Sequence, residues 1–184
     1  AGLTAILVWS HSMREPCKEG PIQKRSTQPR QPYSWVMQVI ERSTVLEATA
    51  DAVWAAVKTP SAFRRVTRGI LAMPVIGGRQ DDWHEGETVV GWVFLFGFLP
   101  FSRHHLHIAR IDDATRIMSS REHGGLISVW NHDIEVVPIG QRACRYTDRI
   151  EIEAGIVTSL VVLYARWFYR MRQRRWRALA KRMS

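Results

Sequence analysis

The sequence predicts an α+β fold, one antiparallel sheet with its helices gathered on one side. Three observations carry that expectation. From Glu87 to Glu153, runs rich in Val, Ile, Phe and Trp alternate with short turn signals, the pattern of a meander. Ahead of them, a strand-like segment is followed by two short helical segments with caps. After them, the chain ends in one long amphipathic pattern from Ile156 to Arg182. A length of 184 residues suits a single domain with a tail, expected as residues 35–184 and residues 1–34.

Taken in order, Val36 to Leu46 reads as the first strand, because Val36, Gln38, Ile40 and Arg42 alternate with Met37, Val39 and Glu41. Thr49 is a good N-cap for a helix whose face carries Val53, Trp54 and Val57. Thr59-Pro60-Ser61 stops that helix and starts another, Ala62 to Arg68. Gly77-Gly78 and Asp81-Asp82 mark turns. Strands are then expected at Glu87 to Leu99, Arg103 to Ile111, Arg116 to Glu122, Ser128 to Val137 and Ala143 to Glu153. Turns at Asp112 to Thr115, Gly124-Gly125 and Pro138 to Gln141 separate the later ones. In the final helix, Ile156, Leu160, Leu163, Tyr164, Trp167, Phe168 and Met171 are expected to face the sheet. Arg166, Arg170, Arg174, Arg177 and Lys181 fall on another face at spacings of three and four.

Charge excludes some function classes. The net charge is +9, but residues 166–182 contribute +8 and residues 1–34 contribute +3. The body between them is therefore slightly acidic, which argues against a nucleic-acid docking face. The basic helical stripe is either a solvated face or a surface for an anionic membrane or partner. Two cysteines, Cys17 and Cys144, exclude a disulfide-rich scaffold and a cysteine-only zinc site. No apolar run reaches the roughly 20 residues of a membrane span. Leu3 to Trp9 is apolar but short, and its first basic residue follows it, the wrong order for a secretory signal. Pro16, Pro21, Pro29 and Pro32 punctuate the rest of the tail, which reads as mobile, with a short membrane-touching segment as the alternative. The expected location is cytoplasmic, with membrane association through the basic helix as an addition.

Three stretches carry a family resemblance. Thr44-Val45-Leu46-Glu47-Ala48-Thr49-Ala50-Asp51-Ala52-Val53-Trp54 is similar to a strand-turn-helix opening. Gly125 through Trp130-Asn131-His132-Asp133-Ile134 is similar to a bacterial Gly…Trp-x-His pattern. Tyr146-Thr147-Asp148-Arg149-Ile150-Glu151 is similar to a Thr-Asp-x-Val-x-Tyr strand, with Ile150 for the Val and Ile152 for the Tyr. Ile134 stands where many members carry a second His. In order and spacing, residues 35–184 resemble the START-like superfamily, also called SRPBCC or Bet v 1-like. The resemblance implies a helix-grip fold, a curved sheet around the C-terminal helix with an apolar cavity between them. It implies a lipid, isoprenoid or aromatic polyketide ligand, or cyclase/dehydratase chemistry. The superfamily shares no universal catalytic residue, and no cofactor is implied.

Strand geometry adds a specific site. Trp130, His132, Ile134 and Val136 share one face, as do Cys144, Tyr146, Asp148, Ile150 and Ile152. A hairpin centred on Gly140 sets His132 opposite Asp148 and Ile134 opposite Tyr146. His132 is then an acid/base or polar anchor oriented by Asp148, with Tyr146 nearby, or the pair is structural. The residues expected along a cavity are Trp92, Phe94, Trp130, Ile134 and Ile150 from strands and Tyr164, Trp167, Phe168 and Met171 from the helix. Plain core packing is the other reading of all nine. His104, His105 and His107 invite a metal reading, with Glu122 opposite His105, but two ligands fall short of a typical zinc site. No metal is expected.

Overall fold

The computed structural model describes residues 37–183. The expected boundary at residue 34, and the tail before it, lie outside the described residues. The architecture is α+β with the helix-grip arrangement. Its elements are β1 (Gln38–Leu46), α1 (Ala50–Val57), α2 (Pro60–Thr67), β2 (Leu71–Ala72), β3 (Thr88–Leu95), β4 (Leu99–Asp112), β5 (Ile117–Gly124), β6 (Ile127–Pro138), β7 (Cys144–Glu153) and α3 (Thr158–Ala180). The seven strands form one antiparallel sheet in the order β1-β7-β6-β5-β4-β3-β2. It curls into a half-barrel with α3 in its grip. Register shifts at Val93/Phe94, Ile108/Arg110 and Glu122/Gly124 supply local bends of the kind that curl a sheet.

Local chemistry explains the helices. The hydroxyl of Thr49 accepts the Ala52 N–H at 3.2 Å, and that of Thr59 accepts the Ala62 N–H at 3.1 Å. Both caps satisfy an otherwise orphaned N-terminal donor. Pro60 occupies the first turn of α2, where its missing N–H costs nothing. The far end of α2 is held by Arg175, whose Nη1 donates to the carbonyls of Arg68 and Val66 at 2.6 and 3.2 Å.

Four expectations are corrected. The long strand from Glu87 breaks into a hairpin, because Phe96 and Gly97 adopt φ of 56° and 83°, and β4 begins at Leu99. Two successive positive φ values suit a tight hairpin turn. The β6–β7 register is displaced by two residues, so His132 faces Ile150, Ile134 faces Asp148 and Val136 faces Tyr146. A shift of two preserves the face, as a shift of one would not. Between β4 and β5, His105 faces His123, and Glu122 faces Leu106. Finally, the apolar stripe assigned to the sheet side of α3 is mostly in water. Ile156, Leu160, Leu163 and Trp167 are exposed, and the buried face runs through Val162, Ala165, Phe168, Tyr169, Arg172, Gln173 and Trp176. Two long polar residues sit on that inner face because the sheet supplies their partners.

The core has two apolar clusters. One gathers Leu46, Val53, Trp54, Val66, Trp83, Val136, Tyr146 and Trp176. The other gathers Ile40, Ile150, Ile152, Val162, Ala165, Phe168 and Tyr169. The polar groups described next lie on the inner face of the same sheet.

Candidate functional site

Asp148 is fully buried on β7 and is the centre of a polar network. Its Oδ1 accepts from the Tyr146 hydroxyl and pairs with His132 Nε2, each at 2.9 Å. Its Oδ2 accepts from Gln173 Nε2 at 3.2 Å, and Arg172 Nε lies 3.7 Å from Oδ1. Arg172 Nη2 donates to the Tyr146 hydroxyl at 3.1 Å, and Gln173 Nε2 also donates to the Arg42 carbonyl at 2.6 Å. His132 and Asp148 therefore meet, but diagonally across β6 and β7. The offset of two residues is within reach of an imidazole.

Electrostatics follows from these contacts. Burial alone would raise the Asp148 carboxyl, but Arg172, His132 and Tyr146 outweigh it, so the group is held below its ordinary value. Burial drives the Tyr146 hydroxyl well above its usual value, and the adjacent Asp148 charge adds to that. Tyr169 is likewise pushed up by burial, and its ring lies 5.2 Å from that of His132. Burial works against the Arg172 charge, but Tyr146, Asp148 and Tyr169 favour it more strongly.

A second histidine–carboxylate pair lies nearby. His104 Nε2 is 3.1 Å from Glu122 Oε2, and Ser120 donates to Glu122 Oε1 at 2.6 Å. Burial would raise Glu122, but His104, Ser120 and the more distant His132 hold it below its ordinary value. Sequence reasoning placed Glu122 with His105 and so missed this pair. The signal was strand parity: His104 shares a face with the buried Leu106 and Ile108, whereas His105 shares one with the exposed Arg103. On the other face, His105 stacks on His123 at 4.7 Å, and His107 Nδ1 meets the Thr88 hydroxyl at 2.9 Å. Among the described residues no group of three or more His, Cys, Asp or Glu side chains could hold a metal ion.

His132 of the first pair and both members of the second, His104 and Glu122, border a cavity of about 320 Å³ between the sheet and α3. That is the low end of the range of small-molecule sites. Its wall is apolar, with Met73, Val93, Leu95, Leu106, Ile127 and Phe168 among its members. The polar groups His104, Glu122, His132 and Arg172, with Tyr164 and Tyr169, interrupt it. A smaller chamber of about 40 Å³ lies beyond, and Glu122, His132 and Arg172 border both spaces. These three groups come from β5, β6 and α3 and, with the apolar Phe63 and Leu106 that also border both spaces, make a waist of polar groups between the chambers. Arg172 Nε and Trp176 Nε1, from two residues that border the inner chamber, are buried donors without an acceptor among the described residues.

The expected cavity residues divide. Trp130, Tyr164 and Phe168 border the large chamber, and Ile134 borders the small one. Ile150 is buried in the second core cluster, with Met171 packed against that cluster. Trp92 and Trp167 are exposed. Phe94 lies on the strand parity opposite the cavity-lining Val93 and Leu95. The alternation on β3 was real, but both parities are apolar, so the inward one was not legible. Arg166, Arg170, Arg174, Arg177 and Lys181 are all exposed, as the helical spacing predicts.

A half-barrel sheet, a gripped C-terminal helix and a cavity between them define a START-like, SRPBCC (Bet v 1-like) fold. The chain belongs to the family described as a domain of unknown function, DUF8410, whose model matches residues 44–181. No curated protein matches it. Among solved structures it is similar to the Zhui aromatase/cyclase of a Streptomyces species, with a TM-score of 0.62 and 10% identity over 80% of this chain and 95% of that one. A START superfamily protein from Mycobacterium smegmatis gives 0.60 and 10%, over 79% and 99%. Norcoclaurine synthase from Thalictrum flavum, in complex with dopamine and hydroxybenzaldehyde, gives 0.57 and 16%, over 95% and 99%. At these identities the likeness is one of fold.

Proposed function

We propose that this protein binds an apolar or amphipathic small molecule, of lipid, isoprenoid or aromatic polyketide type, between the sheet and α3. The observation that carries this reading is the polar waist inside an otherwise apolar cavity. The apolar body of the ligand fills the large chamber, and an oxygen sits at the waist: a carbonyl or hydroxyl accepts from Arg172, and a hydroxyl also donates to Glu122 or His132. The unpaired donors of Arg172 and Trp176 favour an acceptor oxygen there. A cytoplasmic location suits this reading, and the exposed basic stripe of α3 supplies contact with an anionic membrane surface.

The test is binding of an environment-sensitive dye, anilinonaphthalene sulfonate, and its displacement by a long-chain fatty acid. Leu95→Trp, which narrows the large chamber from a half-buried position, should weaken dye binding about tenfold, roughly 1.4 kcal/mol. Equal binding by this variant and the parent chain would place the dye elsewhere and sink the reading.

A second reading is enzymatic, of cyclase or dehydratase type. It is favoured by the single use of the His132 ring: Nε2 is committed to Asp148, and the residue borders both chambers. With Nε2–H donating to Asp148, Nδ1 takes a proton from the carbon beside a ligand carbonyl. The resulting imidazolium returns it to a departing β-hydroxyl, so a C=C bond and water form in balance. Asp148 orients the ring and stabilises its charge. Tyr146 donates to Asp148 and accepts from Arg172, so it acts through Asp148. Retained dye binding with lost turnover of a β-hydroxyketone in His132→Gln would support catalysis. Unchanged turnover would remove it.

A further inference from the structure

The meander topology gathers three connections at one end of the sheet: the β3–β4 turn, the β5–β6 turn and the entry from β7 into α3. This is also the cavity's end, since Leu95, Ile127 and Leu160, which adjoin those connections, border it. The side chains there are unusual for a surface. In the β3–β4 turn Phe98 is 75% exposed, with Phe96 and Leu99 beside it, and in the β5–β6 turn Leu126 is 67% exposed. Ile156, Leu160, Leu163 and Trp167 continue the patch along α3 at spacings of four, three and four. The rings of Phe96 and Trp167, 6.2 Å apart, join the turn to the helix. Nine of the sixteen exposed large apolar residues among those described fall on this end, counting Phe101. Of the opposite turns, Asp112 to Thr115 is mainly polar, and Pro138 to Gln141 carries the single exposed large apolar side chain Ile139. Scattered apolar residues need no explanation, but a contiguous patch at a cavity mouth does.

Charge selects the occupant. Residues 95–103, 124–128 and 154–183 contain no Asp or Glu, and exposed Arg103, Arg166 and Arg170 adjoin the patch. Glu153, half-buried at the close of β7, is the nearby acid. An apolar surface with a cationic margin fits the interface of an anionic bilayer. We infer that this end of the molecule docks on an anionic membrane with its apolar side chains inserted, so that the cavity opens toward the lipid. That role for the cavity rests on the ligand-binding reading above and narrows its ligand to a membrane-resident amphiphile. The docking itself is measured separately.

The experiment uses the full chain and sedimentation with vesicles of phosphatidylcholine alone or with added phosphatidylglycerol. Phe98→Glu and Leu163→Glu change exposed positions that do not border the cavity, and circular dichroism checks their folding. Each should lower partition into the anionic vesicles about tenfold while leaving dye binding in solution unchanged. Joint replacement of Arg166 and Arg170 by Gln should weaken anionic binding and leave the neutral vesicles unaffected. No vesicle binding by the parent chain, or equal binding by the Glu variants, overturns the inference. So does a parent dimer in ultracentrifugation that Leu163→Glu dissociates without changing vesicle binding, because the patch then belongs to a second copy. Vesicle binding without any dye binding would sustain the docking and remove the cavity reading.

Discussion

Asp148 accepts from three side chains and faces a fourth, yet it is buried completely. Removing it as Asp148→Ala strands the Arg172 charge in the interior, and a loss of about 3–5 kcal/mol is expected in chemical denaturation. Asp148→Asn keeps the shape and should cost less. In a double-mutant cycle with His132→Gln, the two losses should fall short of additivity by about 1 kcal/mol or more, because both break one contact. Strict additivity would mean that the 2.9 Å pair contributes no coupling. The acid limb of stability reports on the same carboxylates. Asp148 and Glu122 are held below their ordinary values of 3.8 and 4.5 in the folded chain. A depressed carboxyl contributes stability that is complete above its unfolded value and is lost as pH falls through its folded value. Melting temperature should therefore drop below about pH 4.5. Glu122→Gln should flatten that drop, whatever it does to stability at neutral pH. An unchanged acid limb in Glu122→Gln would show that this buried pair does not link folding to protons.

Element by element, the faces of α3 and the edges of the strands are where packing can be tested. Trp176 is 1% exposed and Leu163 is 66% exposed, although the apolar pattern of the helix does not distinguish them. Trp176→Ala should cost about 3–5 kcal/mol. Leu163→Ser should change stability by less than about 0.5 kcal/mol. Comparable losses would mean that the helix is rotated relative to the sheet. Gly124 marks a different constraint, where β5 crosses close to β4. A Cβ there would lie 2.3 Å from the Arg103 carbonyl oxygen and 2.8 Å from the Cα of His104, both backbone atoms that cannot swing aside. Gly124→Ala is expected to destabilise by about 1–3 kcal/mol and to disturb the His104–Glu122 pair beside it. A neutral effect would place the β5–β6 turn farther from β4.

For the whole molecule, ligand linkage gives the broadest check. A compound that fills the cavity should stabilise the fold by about 2.7 kcal/mol at a hundredfold excess over its Kd, read as a concentration-dependent rise in melting temperature. In Leu95→Trp, with binding weakened about tenfold, the same concentration should give only about 1.4 kcal/mol. The Pro-punctuated stretch before residue 35 is proposed to be dispensable, so deleting residues 1–34 should leave a cooperative transition. A non-cooperative melt of the shortened chain would make the segment part of the fold.

The order of the helices and of six of the seven strands was legible in the sequence, because period-2 alternation, caps and turn residues act locally; the two-residue β2 carries no such pattern. The sequence also determined that His132 and Asp148 share a face, since parity along each strand survives a two-residue shift in pairing. Which of two apolar parities on β3 turns inward was settled by packing alone. Packing also decided which apolar stripe of α3 meets the sheet. A residue such as Leu163 or Trp167 is as apolar as Val162 or Phe168, and the choice depends on where the sheet places its partners. Arg172 and Gln173 show the physical reason most directly. Long polar side chains at helical positions read as solvated, but a carboxylate and a backbone carbonyl waiting on the facing strands make burial the lower free energy. The polar waist, with Glu122, His132 and Arg172 drawn from three separated elements, exists only through that packing.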